Sequence, residues 1–298
     1  MSKILRNCEN STRLTRRKTM LRFLLMLGMH LGALSAPFCF DWSVIPVTAM
    51  LFLISGIGIS VGYHRLLTHR AFKTTPLLEK IFATMGAVAF QGGPLEWVAL
   101  HRIHHKFSDT HEDPHTPAKG FWYGYITWLL DCDDRVQDPA QRDRYIPDLI
   151  AVSYYQFLDR HPYSVEIFLA AALFLVGESM APGLGGAWLV YGIFVRFVLM
   201  QHVTWMVNAV THRFGYQNFE TRDNSQNCWW LALLSFGEGW HNNHHAKPTS
   251  ANFGSRLLEL DFGFWVIKGL EKLKLIWEVK NGFSDKDDTA RTRASTPV

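Results

Sequence analysis

Apolar residues in this chain come in long blocks, not at strand or helical spacing. Four blocks stand out: Met20 to about Phe40, Ser43 to Gly62, Ser164 to Met180 and Ala187 to Val207. A helix needs roughly 20 residues to cross the hydrocarbon core of a bilayer, and each block approaches that length, the third at the low end of the range. The expectation is an all-α integral membrane protein with four transmembrane helices, at about residues 20–40, 43–62, 164–180 and 187–207. Arg6, Arg13, Arg16, Arg17 and Lys18 precede the first block, as basic residues precede a signal peptide's apolar core. The long basic region and the second block close behind argue against cleavage.

Orientation follows from Lys and Arg in the short flanks. Residues 1–19 are basic, whereas neither the link around Asp41 and Trp42 nor that from Ala181 to Gly186 holds a Lys or Arg. Both termini are therefore expected on the cytoplasmic side, together with residues 63–163 and 208–284, which would form a helical cap. Leu77 to Gln91 predicts a helix lying at the membrane boundary or packed beneath that cap. The polar stretch 285–298 is expected to be a disordered tail, leaving 20–284 as the functional domain. Arg196, inside the fourth block, is costly in lipid and should face protein or reach an interface.

Composition supports this picture. Hydrophobic residues make up 48% and charged residues 19%, and eleven Trp and twenty-one Phe suit a protein that meets lipid and binds an apolar ligand. A net charge of +4 without a basic, aromatic-interleaved stripe excludes nucleic acid as a partner. Cys8, Cys39, Cys132 and Cys228 are scattered, so neither a disulfide framework nor a thiolate metal site is indicated.

Histidine is the anomaly: there are fourteen, mostly clustered. The clusters are His64-Arg65-Leu66-Leu67-Thr68-His69, His101-Arg102-Ile103-His104-His105 and His241-Asn242-Asn243-His244-His245. In the last two the histidines fall at i, i+3 and i+4, one face of a helix, where three imidazoles can converge. The first has a looser i, i+5 spacing that suits a helix end. All eight lie on the side that Lys and Arg assign to the cytoplasm. Past the fourth block, Asn208 and His212 stand at i, i+4, making His212 a candidate ninth ligand and Asn208 a candidate reaching metal through water. Eight or nine imidazoles exceed what one ion takes, so two metals are implied. Imidazole suits Fe, Zn, Cu and Ni alike.

In these clusters the chain resembles the membrane fatty acyl desaturases, in their delta-9, stearoyl-type branch, over roughly residues 40–260. The resemblance extends to Asp113-Pro114-His115, Lys119-Gly120-Phe121, Asn208-Ala209-Val210-Thr211-His212 and Gly237-Glu238-Gly239-Trp240. It implies four membrane helices capped by a cytoplasmic domain holding a di-iron centre. His64, His69, His101, His104, His105, His212, His241, His244 and His245 would ligate two Fe ions, and Asn208 would do so through water. Gln91, Trp97, Thr204 and Trp205 match positions lining a kinked acyl tunnel, and Asp113 and Glu238 match carboxylates that orient imidazole N–H groups. His111 and His115 are left as structural or as ligand-orienting groups, and His30, His161 and His202 as structural. The chain departs from the animal acyl-CoA enzymes of this branch. Ala99 and Leu100 replace an Arg-Asp pair, Asp131-Cys132-Asp133-Asp134 replaces a basic pair, and Gly92-Gly93-Pro94 follows Gln91. The bacterial and cyanobacterial enzymes share this version, leaving the acyl carrier open between a lipid and a thioester.

Removing hydrogen from an unactivated methylene needs an oxidant no side chain provides; iron with O2 provides one and zinc does not. The expected reaction inserts a cis double bond, at delta-9, into a fatty acyl lipid or acyl thioester. With no dinucleotide fingerprint or fused haem domain, the two electrons should come from a separate ferredoxin or small cytochrome. Lys247, Arg256, Lys268, Lys272 and Lys274 offer that donor a basic face, or meet solvent or lipid headgroups. The alternatives are a membrane di-iron hydroxylase of alkyl chains, a zinc hydrolase, which would need an absent His-Glu-x-x-His, and a non-catalytic membrane metal-binding protein.

Overall fold

The computed structural model describes residues 19–131 and 133–283. Most of the basic N-terminal segment and the polar tail expected over 285–298 lie outside the described residues.

Helix α1 spans Thr19–Phe38 and α2 spans Val44–Thr68. After a short strand β1 (Lys73–Thr74) come α3 (Pro76–Ala87) and α4 (Pro94–Phe107). Short helical turns occupy 117–145. Then follow α5 (Ser153–Arg160), α6 (Ser164–Met180), α7 (Leu184–Val210), α8 (Trp229–Leu234), α9 (His241–Ala246), α10 (Phe262–Lys272) and β2 (Ile276–Trp277). β2 pairs antiparallel with β1, Lys73 facing Trp277 and Thr74 facing Ile276, and so draws the C-terminal segment back onto the exit of α2.

Among the described residues three helices, α1, α2 and α7, are long and apolar enough to cross a membrane. The third expected block forms α6, which at 17 residues qualifies only together with α5, from which it is bent by 71°. α3 begins where Pro76 stands at its first position and the Thr75 hydroxyl accepts from the Leu78 N–H at 3.3 Å. It ends before the end of the apolar run 77–91: Phe90 turns back at φ +59°, and Gly92, at φ +92°, leads into Pro94 at the start of α4.

The second expected block is longer than the apolar run suggests. Its helix continues six residues past Gly62 by widening into a π-helix from Gly58 to Thr68, where the His69 N–H reaches the His64 carbonyl at 3.1 Å. α3 lies close against this segment because Gly58, Gly62 and Gly86 carry no side chain. A Cβ on Gly58 would stand 2.2 Å from the Met85 carbonyl carbon, and one on Gly86 2.4 Å from the Tyr63 ring.

Arg196, in mid-α7, is fully buried, as its place in an apolar block demands. It pairs with Glu166 of α6 and donates to the Gly192 carbonyl at 2.7 Å, the Ser55 hydroxyl at 2.8 Å and the Val88 carbonyl at 2.6 Å. One cation thus ties α2, α6, α7 and the end of α3 together. An unpaired charge in this position would be costly.

Candidate metal centre

Nine imidazoles meet where α2, α4, α7 and α9 converge. Ligand-capable atoms of His64, His69, His101, His105 and His244 all lie within 4.8 Å of one another, and so do those of His104, His212, His241 and His245. The sequence places the histidines of each His-x-x-His-His cluster on one helix face; the structure divides that face between two groups. α4 gives His101 and His105 to the five-imidazole group and His104 to the other, whereas α9 gives His241 and His245 to the four-imidazole group and His244 to the first. An i, i+4 pair stacks along the helix, and the i+3 residue is displaced around it, toward the neighbouring group.

The i, i+5 spacing of the first cluster is explained by the π-helix. With i→i+5 bonding, the fifth residue on stands over the first, as the fourth does in an α-helix. His64 and His69 therefore share a face, with ring centroids 4.9 Å apart. The widened turn leaves carbonyls that Arg102 satisfies, donating to Leu67 and Thr68 at 3.0 Å each while paired to Asp148. Arg65, fully buried, bridges Asp261 at 2.9 Å and stacks over Phe253. In the third cluster, Asn242 accepts from the Asn218 and Phe219 N–H groups and Asn243 accepts from the Asn218 and Asn227 side-chain amides, fastening the 216–227 loop over the site, while Asn243 donates to Phe253 and Glu259. None of these supporting roles is visible in the residues' spacing.

Four carboxylates set the rings. Glu238 accepts from His64 Nδ1, Asp113 from His104 Nδ1 at 3.1 Å, Asp109 from His212 Nδ1 at 3.0 Å and Asp223 from His245 Nδ1 at 2.7 Å. Asp113 and Glu238 are legible from the motifs around them. Asp109 and Asp223 are not: Asp109 sits in a turn at φ +60° after α4, and Asp223 in a loop no pattern marks. A carboxylate accepts, so each Nδ1 carries the proton and each Nε2 presents a bare lone pair; the tautomers follow from these partners. His69 Nε2, His104 Nε2 and His245 Nε2 are buried without any hydrogen-bond partner, and the Nε2 atoms of His64, His101, His105 and His244 face only one another at 2.8 to 3.0 Å. Buried, inward-aimed lone pairs of this kind fit bound metal cations and little else.

Protonation agrees. Burial, then neighbouring imidazoles, hold His69, His101, His105, His241 and His244 well below the ordinary imidazole value, and burial holds His245 at about 4. These rings are neutral at pH 7, the state that ligates a metal. His104 is the exception: burial lowers it, but Asp113 outweighs burial and raises it. Burial would raise the carboxyls of Asp113 and Asp223, yet the imidazoles beside them prevail and hold both far below the usual range.

Of the remaining histidines, His115 is buried beside His104, at a ring-centroid distance of 4.3 Å, with its Nδ1 making no hydrogen bond and lying 3.8 Å from Asp113. His111 and His161 are exposed, and His30 pairs with His202 at 3.1 Å.

A cavity of about 220 Å3 runs up to His101 and Asn208, lined by Gln91, Trp97, Thr204 and Trp205 among others. Gln91 Nε2 donates to the Thr204 hydroxyl at 2.8 Å, Trp97 Nε1 donates to Gln91 Oε1 at 3.2 Å, and the Trp97 ring stacks on His101. A smaller cavity of about 50 Å3 shares Trp97, His101, Thr204 and Asn208 and continues past His64, His104 and His241 toward Gly56 and Phe236. Asn208 thus lines both cavities, with His101 in each and with His64, His104 and His241 in the smaller.

Residues 40–253 match the fatty acid desaturase family. The sn-1 stearoyl-lipid 9-desaturase of Anabaena variabilis is 43% identical over 262 residues, covering 86% of this chain and 92% of the relative. That of Synechocystis sp. is 44% identical, covering 85% and 77%. An acyl-CoA 5-desaturase of Anemone leveillei is 43% identical, covering 86% and 78%. With its histidines gathered around an apolar cavity and its sequence matched across most of its length, this chain belongs to the fatty acid desaturase family, the oxidoreductases that introduce double bonds into acyl chains.

Proposed function

We propose that the chain is a membrane delta-9 desaturase that acts on saturated chains carried by a glycerolipid, with a di-iron centre in the two imidazole groups. The observation that carries this reading is the division of nine imidazoles, buried or half-buried, into a group of five and a group of four, with His101 at the end of the larger cavity and His64, His101, His104 and His241 lining the smaller. Bound there, two iron ions would supply, with O2 and two external electrons, the oxidising power that an unactivated methylene requires. His64, His69, His101, His105 and His244 would hold one ion. His104, His212, His241 and His245 would hold the other, with Asn208, which lines the same cavity as His104 and His241, joining through water.

The chain's own residues do the rest. Trp97, Gln91 and Thr204 form a hydrogen-bonded bridge across the cavity at His101, so the acyl chain bends there and presents one stretch of methylenes. Apolar walls keep the site dry. The identity with stearoyl-lipid 9-desaturases supports the delta-9 position and the lipid carrier. Charge agrees. The cleft beside the cavity places Glu112, Asp131 and Asp133 against Lys119 and Arg135, and Arg135 is held by Asp133 at 2.6 Å, a poor match for a polyphosphate carrier. We place residues 20–284 in one domain, with four membrane spans, both termini and the metal centre on the cytoplasmic side, and a ferredoxin or small cytochrome docking there as electron donor.

Expression in a host without its own desaturase, followed by analysis of its lipids, tests this. Cis delta-9 chains on glycerolipids are expected. Hydroxylated chains alone would assign the centre to hydroxylation, and unsaturation confined to thioesters would overturn the carrier.

A further inference from the structure

The three helices around the acyl cavity are unequal. α4 contributes Glu96, Trp97 and His101, and α7 contributes Thr204, Trp205 and Asn208; α4 carries three of the nine imidazoles and α7 leads into a fourth, His212. α1 contributes Arg22, Leu25 and Met26 and none of the nine imidazoles. These residues fall at i, i+3 and i+4, one stripe of the helix, and Met29 and His30 extend it at i+7 and i+8. The opposite side of α1 exposes Met20, Leu21, Phe23, Leu24, Leu27 and Leu31. Only 6% of its apolar window is buried, against 44% for α2 and for α7. One face of α1 therefore closes the cavity while the other faces outward with an apolar surface.

α1 is held by the packing of Met26 and Met29 against Leu51, Leu173, Ile193 and Phe197, and by a few polar contacts. Near its start Arg22 pairs with Glu96, which also accepts from Gln137 Nε2 at 3.2 Å. Two turns on, His30 Nε2 meets His202 Nε2 at 3.1 Å, and Tyr125 meets His202 Nδ1 at 2.6 Å. Further along, Gly32 lies against the Phe194 ring, where a Cβ would sit 2.7 Å away. Beyond Arg22, Met20 and Phe23 border a cleft lined by Glu112, Lys119, Asp131 and Asp133, so this end of the wall is polar.

We infer that the acyl chain enters and leaves the cavity sideways from the bilayer, by parting of α1 from α4 and α7, with Arg22 and Glu96 as the latch at the polar end. The substrate that fits is a lipid resident in the membrane, which can slide a chain in laterally without drawing its apolar tails through water. Arg22 and Glu96 are positioning residues: they close the wall and touch neither metal ligand nor reacting carbon. This inference rests on the membrane placement and desaturase reading proposed above.

The test locks the wall. In a chain with its four cysteines replaced by serine, Arg22→Cys with Glu96→Cys is joined by a short bis-methanethiosulfonate reagent in proteoliposomes containing saturated glycerolipid and an electron donor. The linked protein should lose at least tenfold in multiple-turnover rate while still converting up to one preloaded chain per molecule, and cleavage by a thiol should restore the rate. A linked protein that keeps its rate within twofold overturns the side door. If that pair fails to fold, Gly32→Cys with Phe194→Cys locks α1 to α7 directly and must show the same loss and recovery. A parent protein that desaturates no chain at all overturns the functional reading and the door with it, an outcome distinct from an active locked enzyme.

Discussion

The two imidazole groups achieve the same end by different means. The five-imidazole group draws its order from helices: the π-helix stacks His64 over His69, α4 stacks His101 and His105, and Trp97 packs flat on His101. Its one carboxylate, Glu238, is shared with Arg65 at 3.4 Å, so it brings little net charge. The four-imidazole group has fewer rings and three carboxylates, Asp109, Asp113 and Asp223, whose only ionic partners among the described residues are imidazoles. One group offers ligand number and rigidity, the other charge. The difference teaches that two neighbouring imidazole groups need not be two copies of one design, and that the two should fail differently.

Three predictions press on that contrast, and two more probe the protein around it. His104→Ala removes a ring from the four-imidazole group and the Asp113 contact with it; product analysis should find no unsaturated chain. Next, Asp223→Asn should lower metal affinity by about 10–100-fold in the four-imidazole group alone, read as loss of one metal per chain. Glu238→Gln should act on the other group and lose less, since four unaltered rings still hold that ion. Outside the centre, Arg196→Leu leaves Glu166 buried without its partner and should cost about 3–5 kcal/mol in unfolding experiments, with metal content unchanged in the surviving fold. The smallest effect belongs to Thr204→Val, which removes one hydrogen bond from the Gln91–Trp97 bridge. Worth ~1 kcal/mol, it should broaden the double-bond position while leaving metal content intact.

Much of this was legible in the sequence because its signals are local. Apolar blocks mark α1, α2 and α7, and His spacing names the nine rings that meet. Arg196 in an apolar block demands a partner, and Glu166 is there. The unread part is non-local or conformational. Nothing in residues 58–68 announces a π-helix, so the first cluster reads as a loose pair beyond the end of a span. The division of each His-x-x-His-His between two groups depends on where the neighbouring helices stand. Asp109 and Asp223 reach the site only because a turn and a loop fold over it. Arg65, Arg102, Asn242 and Asn243 lie within the clusters, but their partners are 10 to 196 positions away or set by the widened turn.

The central claim is that nine imidazoles form two unequal sites, each holding one ion. Iron and protein should be measured on the same anaerobically reconstituted, desalted sample of the parent chain and of Asp223→Asn. Two irons per parent chain and one per variant chain are expected; one iron in the parent, or equal loss from both sites in the variant, would contradict it.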